Sequence, residues 1–202
     1  MTSRLGLPLT VKKPTVWAIW NDLFHPDVPV DFIESVWRVM ADCPQHIFMI
    51  LSKRPRKMAM FIEWLNKEPP PNVWLGVTSE NQERADERIP ILLATSAAKH
   101  FVSIEPMLGP VDLRTITALD GDGPDGQLYW IGQDAGIDWV IAGCESGPYA
   151  RPAATQWFRD LRDQCVAADV PFFLKQMHVN GKLFHMSLLD RRIWSEMPEV
   201  KP

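Results

Sequence analysis

The sequence predicts a parallel α/β fold, and three observations carry that prediction. Short apolar runs rich in β-branched and aromatic residues alternate with stretches of helical period. The runs are apolar almost throughout, the pattern of strands covered on both faces. Their centres recur at about 30 residues, the length of one βα unit in an α/β barrel or a doubly wound sheet.

Strands are expected at Thr15 to Trp20, His46 to Leu51, Asn72 to Val77, His100 to Ile104, Asp138 to Ala142 and Pro171 to Leu174. From Asp31 to Ala41, Phe32, Ile33, Val36, Trp37, Val39 and Met40 form a helical stripe preceded by Pro29. Pro55 suits a first helical turn, and Met58, Phe61, Ile62 and Leu65 continue it. A third helix starts near Ser79, with Ser79 to Gln82 read as a capping box and Pro90 placed to kink it. The fourth, Ala154 to Ala168, is expected to bury Trp157, Phe158, Leu161, Cys165 and Val166, which makes Cys165 a core thiol. Between Ile104 and Asp138 the repeat is broken by a segment containing Asp120-Gly-Asp-Gly-Pro-Asp-Gly126. It lacks the closing glutamate of an EF-hand and reads as a solvated loop rather than a calcium loop. No linker divides the chain, so residues 1–182 are expected to form one domain and residues 183–202 a carboxyl-terminal extension.

With 202 residues, 46% of them hydrophobic and 23% charged, the chain can build a packed core; disordered, collagen-like and coiled-coil classes are excluded. The 21 basic and 25 acidic residues leave a net charge of −4, so no global field draws nucleic acid or an anionic membrane. Nucleic-acid binding would have to be local. Met1 to Leu9 lacks the apolar run of a signal peptide and no run approaches a membrane span, so a cytoplasmic location is expected. Cys43, Cys144 and Cys165 are too scattered for a disulfide framework or a close zinc pair. The nine tryptophans sit mostly within apolar runs and read as packing.

In parallel α/β folds ligands bind where strands end, because each strand hands over there to a loop and a helix amino terminus. The residues at those places are Asn21, Asp22 and His25; Ser52, Lys53 and Arg54; Thr78, Ser79 and Glu80; Glu105; Glu145 and Ser146; Lys175 and Gln176. Four of the six strand ends carry a carboxylate, Asp22, Glu80, Glu105 or Glu145, among the cations Lys53, Arg54 and Lys175. Such a set makes either a salt-bridged rim or a pocket for a zwitterionic ligand. Gly143-Cys-Glu-Ser-Gly147 places glycines on both sides of a turn, which lets backbone approach a ligand. Lys53-Arg-Pro-Arg-Lys57 could grip phosphates or simply be solvated. The phosphate-loop and dinucleotide glycine patterns are absent. A metal-dependent hydrolase would require Asp22, His25, Glu105 or His178 to converge.

Several blocks in order carry a family resemblance: Asn21-Asp-Leu-Phe-His25, Leu51-Ser-Lys-Arg-Pro55, Trp74-Leu-Gly-Val77, Ser103-Ile-Glu-Pro106, Glu145-Ser-Gly-Pro148, Ala150-Arg-Pro152 and Pro171-Phe-Phe-Leu-Lys-Gln176. Over about Leu5 to Lys182 the chain resembles the phage-encoded three-cysteine-motif proteins, a radical S-adenosylmethionine-like family of unknown substrate. The resemblance implies an incomplete (β/α) barrel of about six parallel βα units, TIM-barrel-like or radical SAM-like. It implies a ligand mouth lined by Asn21, Asp22, His25, Lys53, Arg54, Glu80, Glu105, Glu145, Ser146 and Lys175. In the family, three closely spaced cysteines upstream hold an iron–sulfur cluster that anchors S-adenosylmethionine. That triad is missing here, and Cys144 stands where relatives have glycine. The chain is therefore expected to be a truncated or degenerate relative with no cluster of its own, S-adenosylmethionine remaining a candidate ligand. Losing the first strand would also bare the edge of Thr15 to Trp20, an association hazard. Residues Met1 to Thr10, a second copy or a separate upstream polypeptide would cover it. Three functions follow: a mouth for a small zwitterion, a module docking a host or phage protein through that edge, or a metal-dependent hydrolase.

Overall fold

The computed structural model describes residues 4–116, 136–186 and 188–199. Six parallel strands, β1 (Val16–Ile19), β2 (Ile47–Ser52), β3 (Val73–Thr78), β4 (Lys99–Ile104), β5 (Trp139–Gly143) and β6 (Phe172–Val179), pair in sequence order. A seventh, β7 (Lys182–His185), runs antiparallel to β6. Each strand lies beside its successor with no reversal of order, which selects barrel winding over the doubly wound alternative. The sheet curls into a half-barrel. Helix α1 (Leu7–Thr10) precedes β1; α2 (Val30–Ala41), α3 (Pro55–Leu65), α4 (Gln82–Leu93) and α5 (Thr155–Ala167) cover the outer face.

Alternation along the strands divides the apolar residues into two layers. Phe48 and Ile50, Leu75 and Val77, Val102 and Ile104, and Phe172 and Leu174 face the helices. Met49, Trp74, Phe101, Trp139 and Ile141 face the concave side and fill the lumen with Phe173 against them. Neighbouring strands set Leu51 beside Gly76, Gly76 beside Phe101 and Phe101 beside Trp139. A β-carbon on Gly76 would lie 2.4 Å from the Phe101 ring, so glycine there is what lets that ring lie across the lumen. Trp37, Trp74, Trp139 and Trp194 are buried, as packing predicts, but Trp20 and Trp64 are exposed. The three cysteines are all buried, and Cys165 sits in the helix-side core, its thiol pushed well up by burial.

Three expectations need correction. Helix α4 is capped by Asn81, whose Oδ1 accepts from the Arg84 amide at 3.0 Å, rather than by Ser79, whose hydroxyl is buried without a partner. Pro90 lies inside the helix, which continues to Leu93. Val166 of α5, expected on its buried stripe, is 56% exposed. Strand β6 continues past Leu174, so Lys175 and Gln176 lie within a strand and not after it. That strand ends at Asn180-Gly181, both at positive φ, a two-residue hairpin that turns into β7. Beyond β7, a small hairpin of β8 (Leu188–Leu189) and β9 (Arg192–Ile193) leads to Trp194, which is buried on α5 and β6. The glycine- and aspartate-rich segment at Asp120 lies outside the described residues. No described helix is long and apolar enough to cross a membrane.

Candidate functional site

At the carboxyl ends of the strands the candidate residues meet mostly as ion pairs between neighbouring elements. Asp22, in the turn after β1, accepts from the Ser52 hydroxyl at 2.7 Å and the Phe24 amide at 3.2 Å, and pairs with Arg54. This joins β1 to the start of α3. Lys53 reaches Glu80 after β3 at 2.6 Å, and the other Glu80 oxygen accepts from Arg88 of α4 at 3.0 Å. Burial pushes the Glu80 carboxyl up. Its hydrogen bond to Lys53 and the Arg88 charge outweigh this and hold it below the ordinary carboxylate range. Arg88 also donates to the Thr78 carbonyl at 2.7 Å, fixing the loop on which Glu80 stands.

A second cluster lies deeper. Glu105, directly after β4, accepts from Lys175 of β6 at 2.9 Å. It reaches inward because Gly143 on the intervening β5 has no side chain: a β-carbon there would come within 3.1 Å of the Glu105 carboxylate. The glycine at this position thus admits a protein carboxylate. The same Lys175 ammonium lies 5.6 Å from the centre of the Trp20 ring, just beyond β1. Since β1 and β6 are the two ends of the parallel run, one lysine ties the first strand to the fourth and the sixth across the mouth.

Glu145 sits on the loop after β5 and is gripped from three directions by Arg151, through the backbone amide at 2.8 Å, Nε at 2.9 Å and Nη2 at 2.5 Å. These hydrogen bonds hold its carboxyl down to about 2. Hydrogen bonds to Glu145, and more weakly the charge of Glu80, favour the charged form of Arg151. Gly147, at a positive φ of 100°, makes the turn between them.

The remaining candidates stand apart. Asn21 and Ser146 are exposed. His25 turns toward Asp27 at 3.4 Å, and its carbonyl accepts from Lys57 at 3.0 Å. Among the described residues no three His, Cys, Asp or Glu side chains are grouped so as to share a metal ion. Three contributors escaped sequence reasoning: Trp20, Arg88 and Arg151. Arg88 had a signal, a charge on the buried stripe of α4 beside Ala85, Ile89 and Leu92.

The rim is balanced, every carboxylate facing at least one cation, and the Lys53 and Lys175 side chains remain about half exposed. Chemically, this is an array whose pairs can open toward a ligand carrying both signs. Compared with known proteins, residues 1–198 match the family described as protein of unknown function, DUF5131. No curated protein and no solved structure matches the chain.

Proposed function

We propose, from the premise that this chain belongs to the DUF5131 family, that its mouth binds a small zwitterion by opening the Glu105–Lys175 pair. The ligand ammonium takes the place of Lys175 on Glu105, and its carboxylate takes the place of Glu105 on Lys175. One observation carries the reading: Lys175 reaches both Glu105 and Trp20, where the first, fourth and sixth strands of the parallel run meet. Exchange conserves charge, so the site stays neutral while the ligand covers a pair that solvent partly screens. Arg54, Lys53 and Arg88 hold the outer rim in place through Asp22 and Glu80.

The resemblance to phage-type radical S-adenosylmethionine-like proteins makes S-adenosylmethionine, itself an α-amino acid, one candidate, bound here without cluster chemistry. The half-barrel supports that finer reading. Thermal unfolding with S-adenosylmethionine and with free α-amino acids tests it: a ligand at about 100 times its Kd adds about 2.7 kcal/mol of stability. The expected result is a raised Tm that Lys175→Met abolishes. A Tm unmoved by every zwitterion overturns the proposal. A second reading, a module that docks a protein partner, is favoured by the outer side of β1, which no strand among the described residues pairs.

A further inference from the structure

Resting on the zwitterion reading, we propose that the ligand's side chain is large and apolar or aromatic, and that it lies along the concave face of β1 on Trp20, Ala18 and Val16. The directions open to it decide this. Below the Glu105–Lys175 pair the lumen is closed: Phe101 is fully buried, Ile141 and Trp139 nearly so, and the rings of Trp74, Phe101 and Phe173 all pack on Trp139 at 6.1–6.3 Å. Outward lie the Lys53–Glu80–Arg88 and Glu145–Arg151 groups, charged and paired with one another.

The direction toward β1 differs. Register sets Val16 beside Ile47 and Ala18 beside Met49, so the even-numbered residues of β1 share the lumen face. On the inner strands Met49, Trp74, Phe101, Trp139 and Ile141 of that face are buried and Ile47 and Leu51 partly so, whereas Val16 is 46% and Trp20 48% exposed, and Ala18 is exposed between them. This strip carries no charge. It begins at Trp20, the ring beneath the Lys175 ammonium, so a carboxylate held by Lys175 starts its side chain on that ring. Alternate residues of a strand stand about 6.6 Å apart, so Ala18 leaves a recess between Trp20 and Val16 about as wide as a phenyl or isobutyl group.

Calorimetric titration of the full chain with L-phenylalanine, L-leucine, L-alanine and L-lysine tests the inference. The expected result is that phenylalanine and leucine bind at least tenfold more tightly than alanine and lysine. Ala18→Glu, at an exposed position that the fold does not need, should erase that preference, and circular dichroism verifies that the variant is folded. If neither these four nor S-adenosylmethionine binds, the zwitterion reading itself falls; if only S-adenosylmethionine binds, the side-chain inference alone is overturned. If alanine or lysine binds as tightly as phenylalanine, or Ala18→Glu leaves the preference intact, the side-chain inference alone is overturned.

Discussion

Along β6 the outward backbone groups meet the chain's own carboxyl-terminal segment, whereas along β1 they meet no strand among the described residues. The carboxyl half of β6 pairs with β7. Its amino half is covered by residues 194–196: the Leu174 amide donates to the Trp194 carbonyl at 2.9 Å and the Phe172 amide to the Glu196 carboxylate at 3.1 Å. Trp194 anchors this segment, with the Arg192 guanidinium 3.9 Å and the Arg162 guanidinium 5.3 Å from its ring centre. Just before β1 stand Lys12, Lys13 and Pro14, charge and proline that discourage pairing with another strand. The difference teaches that the two edges have different jobs. One is sealed for stability, and the other leaves an apolar strip open beside the mouth.

The largest expected effect breaks the sealed edge. Trp194→Ala should cost about 3–5 kcal/mol in urea unfolding, because a buried aromatic is lost together with the seat of the segment. Trp20→Ala should cost less than about 1 kcal/mol, since its ring is half exposed and its main contact is one cation. Equal losses at the two tryptophans would end the contrast between the edges.

Hydrogen exchange sharpens it. Thr15 turns its carbonyl toward β2, accepting from the Ile47 amide at 3.1 Å, so strand alternation turns the Val16 and Ala18 amides outward. Those two should exchange nearly unprotected, while the Leu174 and Phe172 amides should exchange only with the larger opening reactions of the fold. Protection of Ala18 as strong as that of Leu174 in the isolated chain would show a partner on β1.

The smallest effect concerns the rim. The Glu145 carboxyl is depressed in the folded state, so its contribution is present above the ordinary carboxylate range and is lost as pH falls toward about 2. A carbon-detected NMR titration should place its midpoint near 2, and Arg151→Ala should return it to about 4.3. A midpoint that ignores this substitution would mean that Arg151 does not hold the carboxylate in solution.

All six parallel strands and the four longer helices were legible in the sequence because their signals are local. Apolar runs made the strands, and Pro55 and the stripes of α2 and α5 made the helices. So were the polar residues that follow β1 to β5, since each lies at the end of its own strand, whereas Lys175 and Gln176 proved to lie within β6. The Asn180-Gly181 pair that turns β6 into β7 also carries a local hairpin signal, which the sequence reading did not use.

What the amino-acid order determined by itself, then, was the βα alternation and the inventory of charges at one end of the sheet. Tertiary structure decided the pairing: that Lys175 meets Glu105 and Trp20, that Glu80 is shared by Lys53 and Arg88, and that Gly143 yields its space to Glu105. The physical reason is curl. A flat sheet would hold β1 and β6 five strand spacings apart, about 24 Å, and only its closure into a half-barrel brings their ends within reach of one lysine.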